Sequence, residues 1–153
     1  MALEITAAWS ALAAKHAGLA NADGSSTLRQ SYDALPADPV FPCAWTVLAD
    51  LSGIEAAGGT GLTGTASFDV LILLEPQADV PRRHAALGKW VMPALQAALA
   101  GNALGQPDAL AGAVPTLVEP RLAGDSEVYD GLDLDSVRVR YEVPFRLQRA
   151  VAP

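Results

Sequence analysis

The sequence predicts one α+β domain over residues 1–153, a mostly antiparallel β-sheet with two α-helices packed on one face, in the order α-β-β-α-β-β. Three observations carry the prediction. Val137, Val139, Tyr141, Val143, Phe145 and Leu147 alternate with Ser136, Arg138, Arg140, Glu142, Pro144, Arg146 and Gln148, which makes one long strand with an apolar and an arginine-bearing face. Two other stretches repeat apolar residues at steps of three and four, the spacing of a helix face. The remaining alternating segments fall in pairs with glycine-bearing connections, which suits antiparallel hairpins.

In chain order, Ile5, Ala8, Trp9, Leu12, His16 and Leu19 form the stripe of a first helix over about residues 3–20, stopped by Gly18 and the Asn21 to Gly24 turn. His16 reads as a helix-end histidine near the negative end of the dipole. Residues 23–42 read as a loop stiffened by Pro36, Pro39 and Pro42, with one helical turn conceivable around Leu28, Tyr32 and Leu35. Cys43 to Leu51 and Thr65 to Glu75 alternate as strands and pair across a glycine-rich connection at residues 52–64. In the second of these strands Leu71 and Leu73 join the otherwise polar face, so one end of the sheet is expected to be covered on both sides.

Asp79 caps a second helix with Pro81 in its first turn, and Leu87, Trp90, Val91, Ala94, Leu95, Ala98 and Leu99 form its buried stripe. Pro93 inside that pattern predicts a kink near residues 89–93. Val114 to Leu122, interrupted by Pro115 and Pro120, reads as an edge strand, and Asp130-Gly131 as a hairpin turn into the long last strand.

Composition narrows the function. The chain is 51% apolar and 18% charged, against roughly 25% charged for an average soluble protein, so its surface is poor in charge, as subunit burial requires. A net charge of −7 argues against a nucleic-acid binder, which needs clustered cations. Of the ten cations only Lys15 and Lys89 are lysine, and arginine is the cation that interfaces favour. The single Cys43 allows no intrachain disulfide. No basic start with an apolar run marks a signal peptide, and no apolar run is long enough for a membrane span. A soluble protein made in the cytoplasm is expected.

The motifs are few. Gly59-Thr60-Gly61-Leu62-Thr63-Gly64 spells the dinucleotide-binding pattern, but a strand follows it where that chemistry requires a helix N-terminus. It reads instead as the mobile tip of a hairpin, able to reach a neighbour. Asp125, Glu127, Asp130, Asp133 and Asp135 crowd five carboxylates into eleven residues, yet the glycine falls one residue late for a calcium loop and strands flank the run. Cys43 sits on the Trp45 side of its strand as a small core residue, and neither His16 nor His84 has a companion for zinc or nucleophilic chemistry. No catalytic residue, cofactor or metal is assigned. Arg138, Arg140 and Arg146, with Glu142 between them, form either a solvated ladder or a seam between subunits.

Taken together, the first helix and its proline-rich loop (Leu35-Pro36 to Pro42), the long hairpin tip (Ser52 to Gly64), the helix from Arg82 through Ala100, the connection from Leu104-Gly105 to Ala111-Gly112 and the closing Val137 to Val143 strand resemble the tail terminator proteins of long-tailed bacteriophages. The resemblance implies a non-enzymatic virion protein. It would form a ring, usually six-fold, that caps the tail tube, ends its polymerisation and meets the neck proteins of the head, with DNA passing through the lumen unbound. The interface residues expected on this basis are Arg138, Arg140, Glu142 and Arg146 on the strand and Gly59, Gly61, Leu62 and Gly64 on the hairpin. A head-completion or neck adaptor, and a small-molecule-binding α+β domain, are the alternatives.

Overall fold

A computed structural model describes residues 5–34, 36–59, 61–75, 80–100, 112–122 and 134–148. In chain order these form α1 (Ile5–Lys15), β1 (Gln30–Tyr32), β2 (Cys43–Ala57), β3 (Gly61–Leu73), α2 (Val80–Ala100), β4 (Val114–Arg121) and β5 (Ser136–Gln148). The strands make one sheet in the order β1-β2-β3-β5-β4, antiparallel throughout except for β1, which runs parallel to β2. The α+β class is as the sequence predicts.

The long alternating segment organises the sheet. β5 pairs with β3 without a register break from Ser136↔Leu73 to Gln148↔Gly61. That template explains a departure from expectation. Residues 52–64 do not form a loose connection, because β2 runs on to Ala57 and β3 begins at Gly61. Gly58 and Gly59 turn between them with φ of 58° and 76°, the left-handed region that glycine enters without a Cβ clash. The two extra stretches carry little β propensity of their own; pairing of β3 against β5, and of β2 against β3, overrides it.

Two further differences are local. The first helix ends at Lys15, earlier than its stripe suggests, and residues 16–18 turn out of it. The segment read as a loop with one possible helical turn instead supplies β1, whose Gln30, Ser31 and Tyr32 lie beside Cys43, Ala44 and Trp45. Arg29 N–H donates to Pro42 O at 2.8 Å, which locks this crossover against the start of β2.

Both helices cover one face. Phe68, Val70 and Ile72 of β3 and Val137, Val139, Tyr141 and Val143 of β5 are fully or nearly buried beneath Ala8 and Leu12 of α1 and Leu87, Trp90, Ala94 and Ala98 of α2. Trp9 pins α1 by donating its indole N–H to Thr46 O at 2.7 Å and meeting Phe68 edge-on. On the opposite face Cys43, Trp45, Leu71 and Leu73 form a smaller cluster with Tyr32, Phe41, Val47 and Leu134 packed around it, the double coverage expected at one end.

Pro93 lies within α2, which continues as helix on both sides of it. A proline cannot donate to the carbonyl four residues earlier, here that of Lys89. That oxygen accepts instead from Ala22 N–H at 2.8 Å, so the proline frees an acceptor that tethers the turn after α1 to the second helix.

Candidate assembly surfaces

On the polar face, β5 presents Arg138, Arg140, Glu142 and Arg146 toward the side away from the helices, as alternation requires. Asp69, fully buried in β3, stands opposite Arg140 and receives both Nε–H at 2.7 Å and Nη2–H at 3.0 Å, a bidentate pair. Arg138 Nη1 lies 3.7 Å from the same carboxylate, and its Nη2 donates to Glu119 of β4 at 3.0 Å. Glu119 also holds Arg121 at 3.3 Å. The result is a ladder, Arg121–Glu119–Arg138–Asp69–Arg140, running across three strands. Glu142 accepts from Ser67 Oγ at 3.1 Å. Of the residues expected at a seam, Arg138, Arg140 and Glu142 are therefore engaged within the chain.

Arg146 differs. It is exposed, beyond the reach of β4, whose pairing with β5 ends at Val114↔Glu142. Its row on the polar face runs through Thr63 to Glu55 of β2, also exposed. Neither Arg146 nor Glu55 has an ion-pair partner among the described residues.

The hairpin glycines separate into distinct roles. Gly59 makes the turn, while Gly61 and Gly64 lie in β3 rather than at a tip. At Gly64 the Phe145 ring fills the space where a side chain would stand, since a Cβ there would lie 2.7 Å from Phe145 Cζ. Leu62 is 44% exposed on the helix-side face, beside Leu147 at 40%. Leu51 at 40% and Ile54 at 54% add to the same far end of the ribbon. Sequence periodicity did not single out Leu51, Ile54, Asp69 or Glu55. The polar-face position of Asp69 between Phe68 and Val70 was the one available signal, because a carboxylate amid an apolar run needs a cation across the sheet.

His16 directly follows the last residue of α1, and its ring is buried in the core. Its Nδ1–H donates to Leu12 O at 3.0 Å, and its Nε2 accepts from Tyr141 O–H at 3.1 Å, the tautomer that satisfies both partners. Burial pulls its pKa down to about 4, and burial also raises that of Tyr141. The ring is neutral at pH 7. Cys43 is likewise buried, with its thiol pushed up to about 11, which leaves little nucleophilic thiolate.

Asp135, the last of the five clustered acids, is buried and clamped by Arg83 of α2 through contacts of 2.8 Å and 3.1 Å, so it anchors a helix to β5. The other four, like Asp79 and the Asp130-Gly131 turn, lie outside the described residues. Among the described residues no cluster of His, Cys, Asp or Glu is arranged to hold a metal ion. A surface cleft of about 330 Å³ lies between α2 and the turn after α1, lined by Asn21, Ser26, Glu75, Arg82, Lys89 and Trp90 among others. No described helix is long and apolar enough to cross a membrane. Neither a family model nor a curated protein matches the chain.

Proposed function

We propose that this chain is a structural virion subunit, a tail terminator that closes into a ring on the end of a phage tail tube. In this reading the ring, six-fold by the resemblance, stops tube growth and presents its other surface to the neck proteins of the head. The observation that carries the reading is the bare far end of the β2–β3–β5 ribbon, where Leu51, Ile54, Leu62 and Leu147 are 40% to 54% exposed. Large apolar side chains gathered on one exposed ribbon are the mark of a surface that another protein covers. The charge-poor composition and a net charge of −7 also suit a packed ring whose lumen DNA crosses without sticking.

The test is direct. Light scattering and electron microscopy of the purified protein are expected to give closed rings, and addition to polymerising tube subunits is expected to limit tube length. A neck adaptor would form a ring yet leave tube length unchanged. A chain that stays monomeric and does not alter tube growth refutes both. The cleft of about 330 Å³ beside Arg82 and Lys89 favours a second reading, a small-molecule-binding domain, for which a ligand-dependent melting shift of the monomer is the signature.

A further inference from the structure

Among the described residues the far end of the ribbon has two open edges of different character. On one side β1 pairs with β2 only as far as Trp45, so among the described residues nothing flanks β2 from there to Ala57. On the other side the β4–β5 ladder ends at Glu142, and Gly112, just before β4, still lies against Pro144. Pro144 sits just past that point without interrupting the pairing to β3, so its missing N–H belongs on the outward side. Each edge presents a polar and an apolar face. The β2 edge carries Asp50 and Glu55 on the polar face and Leu51 on the helix-side face, and the β5 edge carries Arg146 and Leu147 on those same two faces.

These edges complement each other. Within one copy Glu55 and Arg146 lie in one row, separated by Thr63, and strands about 4.8 Å apart hold them about 10 Å from each other. A second copy set beside the first by rotation about an axis toward which the far ends of the strands lean keeps every row level and each face on its own side, and it opens the near ends so that β4 clears β1 and β2 of the neighbour. That operation brings Arg146 of one copy next to Glu55 of the following copy, and Leu147 next to Ala56 of the neighbouring row. We propose that this chain self-associates head to tail through these edges, with Arg146 pairing Glu55 and Leu147 closing over the apolar side of β2. The contact is heterologous, because one edge meets the other, and such contacts close into rings when the rotation allows. Two register shifts in β2, between Leu48 and Asp50 and between Ser52 and Glu55, break up its outward row of amides. Side chains therefore carry the join. The proposal rests on the ring reading and assigns its seam to Arg146, since Arg138 and Arg140 are tied to Asp69 and Glu119.

Charge reversal tests it. Arg146→Glu and Glu55→Arg are each expected to weaken self-association by about tenfold or more, with the circular dichroism and melting of the monomer preserved. Combining both substitutions in one chain, or mixing the two single variants, is expected to restore assembly, since every contact then again joins opposite charges. Assembly that survives Arg146→Glu, or a loss that the double variant fails to rescue, overturns this seam while leaving the ring intact. A parent protein that never assembles overturns the ring reading, and the seam with it.

Discussion

The buried His16–Tyr141 pair makes stability depend on pH in a way that one substitution isolates. Above pH 6.5 the imidazole is neutral in both the folded and the unfolded chain, and the native pair contributes in full. As pH falls the unfolded chain takes up a proton at an ordinary pKa of 6.5, whereas the folded chain resists until about 4. The unfolded state thus binds more protons across that window, and stability drops with falling pH. At about pH 4.5 the loss from this one group amounts to roughly 2.5 kcal/mol, after which it levels off. Carboxylates also titrate in the acid range, so the useful quantity is a difference between proteins. His16→Gln keeps a polar side chain but removes the proton uptake. Urea unfolding of parent and variant, at fixed protomer concentration, is expected to show the parent losing about 2.5 kcal/mol more than the variant between about pH 7.5 and 4.5. Equal losses in the two proteins would refute a buried, neutral imidazole, as would a His16 ring signal that titrates near pH 6.5 by NMR.

Other outcomes follow from particular contacts. Asp69→Ala leaves the Arg140 guanidinium without its bidentate partner and removes the central link to Arg138, and is expected to cost about 3 kcal/mol in urea unfolding, with Asp69→Asn costing less. Gly64→Ala sets a methyl group 2.7 Å from Phe145 Cζ and 3.1 Å from Ser52 O, so the ring must move and a loss of about 1–3 kcal/mol is expected, read from the same unfolding curves. Pro93→Ala returns an N–H to the helix that competes for Lys89 O, so the Ala22 amide is expected to exchange its hydrogen faster while α2 is retained.

What the sequence revealed, and what it hid, follows one physical division. β5 was legible residue by residue, because burial of one face imposes strict alternation on a long strand. The buried stripes of the helices were legible for the same reason, except at Leu99, which was expected in the stripe of the second helix and is 64% exposed. The extension of β2 and β3 through a glycine-rich stretch was not, since its cause lies 87 residues away in the chain, in the pairing of Gly61 with Gln148. β1 was hidden because three residues are too few to show a period. Pro93 was legible as a proline inside the second helix, but its use was not, because the acceptor it frees is taken by a residue from another segment. The arginine face could be located from sequence but not sorted, as its partners Asp69 and Glu119 sit on two other strands.

That sorting separates stability from assembly along a single strand. Near its start, β5 is flanked on both sides, and its arginines meet buried or half-buried carboxylates. Loss of a partner there strands a charge in a poorly solvated place and threatens the fold. Past Pro144, among the described residues, the strand pairs on one side only, and Arg146 is exposed, where a charge contributes little to folding. Reversing Arg140 and reversing Arg146 are therefore different experiments despite their shared face. Arg140→Glu sets a second carboxylate against buried Asp69, and a resulting loss of rings would report unfolding. Arg146→Glu leaves the ladder untouched, so whatever it changes belongs to the contact between copies.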